Sequence, residues 1–145
     1  MKENNELIAN IINKTTPKRN IIKNAFFAFL FGGLICLVAQ IIKSIFLIFF
    51  DEIVSTTLST MSMIIIASVL TAFGLYDKIG QIAGAGTIIP ITGFANSVTS
   101  SAMEYKSEGV VKGIINNMLK LAGSIIVIGI ISSFIFASLY YLLGV

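Results

Sequence analysis

Apolar residues fill positions 25–42, 57–76 and 110–143 almost without interruption. A helix needs about 20 such residues to cross the hydrocarbon core of a bilayer, so these runs predict three spans. Gly32-Gly33 lies in the middle of the first, where small residues let helices approach closely. Asn24 is placed to cap that run or lie at the interface, Gln40 is its one strongly polar side chain, and Lys43 can snorkel to the far interface. Asp51, Glu52 and the Ser/Thr cluster 55–60 predict a short turn before the second run. In the third run the first turns are amphipathic, and 121–143 is long enough by itself to cross.

The polar pattern is most informative between the second and third runs. Residues 77–109 are rich in Gly, Ser, Thr and Asn and contain Pro90. Such a segment at membrane depth must be buried in protein or line a water-filled cavity, and broken helices of this kind hold the solute in transporters. The pattern predicts a short helix over 77–85, an extended stretch over the β-branched residues Thr87–Thr92, and a second helix over 93–105. Gly84, Gly86, Pro90 and Gly93 are the expected breaks. Residues 1–23 form a polar arm in which Leu7, Ile8, Ile11 and Ile12 predict a short amphipathic helix ended by Pro17. The expected fold is an all-α integral membrane protein: the arm, then a single membrane domain over 24–145 with three spans and a re-entrant helical hairpin at 77–109.

Composition agrees. The chain has 145 residues, 56% hydrophobic and 12% charged, against about 25% charged in ordinary soluble domains. A net charge of +3 is too small to argue for nucleic acid. Without histidine and with the single cysteine Cys36, metal sites built from His and Cys, Ser-His-Asp triads and Cys-His pairs are excluded. Gly84-Ala85-Gly86 has neither the preceding strand nor the third glycine of a dinucleotide fingerprint. No enzyme, cofactor or resident metal is expected. The first apolar run follows a polar arm and is too long for the core of a signal peptide, which argues against cleavage. Tyr76, Tyr140 and Tyr141 are the candidate interfacial anchors.

Basic residues flanking the spans set the expected orientation. Lys2, Lys14, Lys18, Arg19 and Lys23 precede the first span, Lys43 follows it, and Lys78, Lys106, Lys112 and Lys120 follow the second. This favours an inner N-terminus, an outer C-terminus, and residues 77–109 entering and leaving on the inner side.

Two groups of residues are candidates for a solute pathway. Lys112, Asn116, Lys120 and Ser124 recur every fourth residue and share a helix face. They read as a cationic stripe for an anion, or alternatively as an interfacial turn with snorkelling lysines. Thr92 and Gly93 would open a half-helix whose free N–H groups attract anions, and Asn96, Ser97, Ser100 and Ser101 follow it with small polar groups. Asp77, Lys78, Gln81, Glu104, Lys106 and Glu108 bracket the broken segment. Asp77 and Glu104 are each placed to pair with a lysine at the base of the hairpin.

The runs FGGLICLVAQ (31–40), YDKIGQIAGAG (76–86), PITGFANSVTSSAMEYKSEG (90–109) and NMLKLAG (117–123) resemble the stage V sporulation protein AC family, SpoVAC. The likeness covers about residues 18–140, and the continuation after the TGF element is like the AC rather than the sister AE proteins. The resemblance implies a subunit of a channel in the inner membrane of the forespore and spore. It would pass dipicolinic acid with calcium, inward in sporulation and outward in germination, and respond to membrane tension. It implies AE-type membrane and soluble dipicolinate-binding AD-type SpoVA proteins as partners, in a homo- or hetero-oligomer. The alternative is a non-conducting protein that anchors the complex to the membrane.

Overall fold

A computed structural model describes residues 20–144, which are helical almost throughout, with no strand among them. The elements are α1 (Ile21–Phe46), α2 (Glu52–Ala72), α3 (Leu75–Ala83), the single turn α4 (Ala85–Ile88), α5 (Ile91–Glu104), a 3₁₀ turn (Tyr105–Glu108), a π-helical turn (Val110–Ile115) and α6 (Asn116–Leu143). Three stretches are long and apolar enough to cross a membrane: Ile21–Phe46, Glu52–Ala72 and Val110–Leu143. The amphipathic helix expected around Leu7–Ile12 lies outside the described residues.

The first two spans begin earlier than expected, for local reasons. α1 starts before residue 25 because Asn20, not Asn24, caps it, its side chain accepting from the Lys23 N–H at 3.3 Å. The Ser/Thr cluster 55–60 is helical rather than a turn. Thr56, Thr57 and Thr60 donate their hydroxyl protons to the carbonyls of Glu52, Ile53 and Thr56, so the polar groups are satisfied within the helix. Lys43 Nζ reaches Glu52 Oε1 at 3.1 Å and ties the end of α1 to the start of α2.

α2 buries Ser55, Ser59, Met63, Ala67 and Thr71, a strict four-residue series along one face. Small side chains on that face let neighbours come close. Ser59 donates across to the Ala39 carbonyl of α1 at 2.7 Å, and α5 packs along α2 as its most extensive neighbour. Ala67, Tyr76 and Ala95 make the buried centre, with Ile64 and Leu70 against it. α6 packs on α5 and the π turn, and none of its own residues is buried.

The break has three parts. Gly84 takes φ 52, ψ −123, a region open to glycine, and ends α3. Pro90 is extended at φ −64, ψ 162 and precedes α5, which cannot continue backwards through it. Between them lies a turn of helix, so the expected extended stretch over Thr87–Thr92 is corrected. Thr87 donates to the Gly84 carbonyl at 3.0 Å and closes that turn, and extended backbone is confined to Pro90. Gly86 is required by close packing instead. A Cβ there would overlap the Ala28 carbonyl of α1, and Gly32, one turn further along α1, also faces it.

Candidate functional site

The site is built on the buried hydroxyl of Tyr76, in the first turn of α3. It donates to the Thr87 carbonyl at 2.8 Å and stands 2.8 Å from Thr92 Oγ1. One side chain therefore ties α3, α4 and α5 together across the break. Tyr76 is 6% exposed, so the interfacial anchor expected there is instead an internal tie. Thr71 of α2 fixes the next turn of α5: its hydroxyl lies 2.7 Å from the Ala67 carbonyl and 2.8 Å from Asn96 Oδ1.

Around these ties run three adjoining clefts. The central one, about 500 Å³, is lined by Tyr76, Asp77, Gly80, Gln81, Thr87, Ile88, Gly93, Asn96 and Ser97. A second, about 480 Å³, lies between α5 and α6 and is lined by Ser97, Ser100, Ser101, Glu104, Tyr105, Asn117, Lys120, Leu121 and Ser124. A third, about 430 Å³, lies where α3 meets the start of α1 and includes Asn24 and Gln81. Ser97 belongs to the first two and Gln81 to the first and third. On α5 the residues Asn96, Ser97, Ser100, Ser101 and Glu104 fall on one face, so one half-helix supplies much of the polar lining.

The residues singled out from sequence are distributed unevenly over these clefts. Gly93, Asn96, Ser97, Ser100, Lys120 and Ser124 line them. Thr92 is buried beneath, held by Tyr76. Lys112 and Asn116 are exposed and line none of the three, while Asn117 takes the place on the wall. For Lys112 the π turn is the cause: the Ile114 N–H reaches back five residues to the Gly109 carbonyl at 3.1 Å, which takes Lys112 out of α-helical register with Lys120; Asn116 keeps that register within α6, but the wall is lined by Asn117, three residues before Lys120. Asp77, Gln81 and Glu104, expected at the hairpin base, line the clefts. Among the described residues the ion pair is Lys43–Glu52, and neither Asp77 nor Glu104 reaches a lysine, so the expected pairing there is corrected. Lys78 and Glu108 are exposed and line none of the three clefts.

Gly93 lies inside the first turn of α5 with ordinary helical backbone. It is glycine because of space: a Cβ would overlap the carbonyl oxygens of Thr87 and Ile88. Sequence alone missed the ties made by Tyr76 and Thr71, and the wall position of Asn117. The partners of the first two lie 11–25 residues away, and Asn117 shares a helix face with Lys120 and Ser124 at three- and seven-residue spacing, which a strict four-residue repeat passes over. No group of His, Cys, Asp or Glu that could hold a metal ion occurs among the described residues.

Comparison with known proteins bears on what such a site is for. No solved structure matches the chain. Stage V sporulation protein AC of Bacillus subtilis (strain 168) is 48% identical over 121 residues, covering 82% of this chain and 81% of that protein. The family model for SpoVAC/SpoVAEB sporulation membrane proteins matches residues 24–139, the whole of the three spans and the broken segment between them except the ends. The chain therefore belongs to the SpoVAC/SpoVAEB family of sporulation membrane proteins.

Proposed function

We propose that the chain is a subunit of a channel in the spore inner membrane that passes dipicolinic acid, with calcium, in uptake and release. The observation that carries this is the run of three clefts, joined by Gln81 between the first and third and by Ser97 between the first and second, that brings polar and charged side chains onto a helix broken between apolar spans. Polar groups beside hydrocarbon are expensive unless they face water, solute or protein, and a purely structural anchor has no need of them. Dipicolinate is small, flat and doubly acidic. Lys120 with the serines of α5 offers it charge and hydrogen bonds in the cleft beside α6.

One chain does not enclose a pore, since Asp77, Gln81, Glu104, Lys120 and Ser124 line clefts that stand open to the outside. Further subunits would complete the wall, either copies of this chain or the AE-type protein, with the AD-type protein docking from the aqueous side. In this arrangement the N-terminus is inside, the C-terminus outside, and residues 77–109 re-enter from the inner face. Membrane tension that separates α5 from α6 would widen the cleft between them.

The test is dipicolinate efflux from liposomes that contain the full chain, alone and with the AE-type protein. Efflux above that of empty liposomes is expected. Its absence in both would favour the non-conducting anchor.

A further inference from the structure

Behind the Tyr76 tie lies a space of another kind, an apolar cavity of about 210 Å³ between α1, α2 and the break. Its long walls come from the middle of two spans, Phe31 to Val38 in α1 and Met63 to Leu70 in α2. Tyr76, Thr87 and Thr92 supply its hydroxyl groups, and the protons of all three are committed. Tyr76 donates to the Thr87 carbonyl at 2.8 Å and Thr87 to the Gly84 carbonyl at 3.0 Å, which leaves Thr92 to donate to the Tyr76 oxygen at 2.8 Å. A buried water needs about two to four polar partners, and this lining offers it no free donor. Hydrocarbon suits the space better: a dry cavity of about 150 Å³ already binds benzene in a soluble protein.

The cavity reaches the surface at Leu34, Val38 and Ile66, which line it and are exposed. These three lie on the outer, apolar surface of the two spans, which lipid covers, so the mouth is continuous with the contact between protein and bilayer. Met63 and Ala67 line the same cavity but are buried, out of reach of lipid that stays outside. We infer that a hydrocarbon chain of a membrane lipid enters between α1 and α2 through this mouth and lies against Tyr76 and Thr87. Those two residues also line the central polar cleft, so one layer of side chains divides the lipid chain from that cleft. The chain packs the apolar side of the break while hydrogen bonds hold its polar side. The lipid site stands whether or not the chain conducts.

The protein has four tyrosines and no tryptophan. Tyr105, Tyr140 and Tyr141 do not line this cavity, so changing all three to phenylalanine leaves Tyr76 as the emitter. The first experiment places this full-length variant in dioleoyl phosphatidylglycerol vesicles, plain or brominated across the double bond of each chain. Bromine quenches by contact, so a chain lying against Tyr76 should lower its emission by about twofold or more. Val38 is exposed, so Val38→Phe leaves the buried centre untouched while it narrows the mouth. In that background the quenching should be lost. Equal emission in plain and brominated lipid would overturn the site and leave the mouth to a helix of a neighbouring subunit; quenching that persists in Val38→Phe would overturn the entry route.

The second experiment needs no tyrosine substitution. Wild type is irradiated in phosphatidylglycerol vesicles that carry a diazirine in mid-chain, and the adducts are mapped by peptide mass spectrometry. Ordinary lipid contact labels exposed residues such as Phe134 and spares Met63 and Ala67. A chain inside the cavity labels Met63 and Ala67 as well. Their adducts should fall by about fivefold or more in Val38→Phe, since a phenyl group in a close-packed mouth leaves no room for a chain, while Phe134 keeps its label. Adducts confined to exposed residues in wild type, or a parallel fall at Phe134, would overturn the site.

Discussion

The hydroxyl groups of Tyr76 and Thr92 meet at 2.8 Å across sixteen residues of chain, and both side chains are buried. Between them the chain changes direction at Gly84 and again at Pro90. The same phenol donates to the Thr87 carbonyl, so the shape of the break depends on one proton and one oxygen. Tyr76→Phe keeps the ring and removes both contacts, leaving a carbonyl in a buried place without its donor. The expected loss is about 1–3 kcal/mol, read as a lower thermal midpoint of the purified protein in detergent. An unchanged midpoint would mean that packing alone holds the break.

Gly86 and Gly33 make a matched pair of tests on glycine. A Cβ on Gly86 would overlap the Ala28 carbonyl, whereas nothing lies within 4 Å of one on Gly33. Gly86→Ala must push the α4 turn away from α1, at about 1–3 kcal/mol for overpacking. Gly33→Ala should be neutral or slightly stabilising, since alanine suits a helix interior better than glycine by up to about 1 kcal/mol. Thermal midpoints of the two variants check this, and similar losses in both would contradict the packing described.

The spans are legible in the sequence because membrane thickness converts directly into a length of apolar chain. The breaks at Gly84 and Pro90 are legible because backbone chemistry at glycine and proline is local. What stays hidden depends on distant partners or on register. The cluster around Thr56, Thr57 and Thr60 has the composition of a turn, yet each hydroxyl donates to a carbonyl four residues back, so the polar groups are satisfied within the helix and do not break it. The β-branching of Thr87–Thr92 suggests extended chain, but the backbone freedom of Gly84 and the Thr87 bond to its carbonyl start a helical turn there. The four-residue repeat from Lys112 to Ser124 presumes a continuous α-helix. The π turn interrupts it where Gly113 packs so close to the Tyr105 carbonyl that a Cβ would overlap it.

Gly93→Val tests whether the start of α5 matters for conduction. The new side chain would overlap the Thr87 and Ile88 carbonyls, and it adjoins Thr92, the partner of Tyr76. The three apolar spans are untouched, so insertion into the membrane should survive. Dipicolinate efflux should be lost in liposomes that carry matched amounts of inserted protein. Normal efflux would make the break a packing feature and confine the pathway to the cleft beside α6.

Topology is tested with cysteines placed at positions 78 and 106 in a Cys36→Ser background. Both positions are exposed and flank the broken segment. α5 has 14 residues, and at 1.5 Å each such a helix rises about 21 Å, short of the roughly 30 Å hydrocarbon core. The two cysteines should therefore react with an impermeant reagent from the same side. Labelling from opposite sides would replace the re-entrant hairpin with a full crossing.

Two lysines on the last helical stretch separate a pathway from a charged surface. Lys120 lines the cleft shared by α5 and α6, beside Ser100, Glu104 and Asn117, whereas Lys112 lies beyond it in the π turn. Both are exposed and both carry the same charge, so a general effect of surface charge would act on them alike. Reversing Lys120 to glutamate adds a second carboxylate to the lining that holds Glu104 and repels an acidic solute there. At an effective dielectric constant of about 20 and a separation of about 8 Å, each such repulsion is worth roughly 2 kcal/mol. Dipicolinate efflux through Lys120→Glu should therefore fall more than tenfold at that magnitude, while Lys112→Glu should stay within about twofold of wild type, as a screened surface charge does. Efflux measured side by side at equal protein density decides it. Equal losses in the two variants would remove the α5–α6 cleft from the route and leave the solute to the central cleft around Asn96.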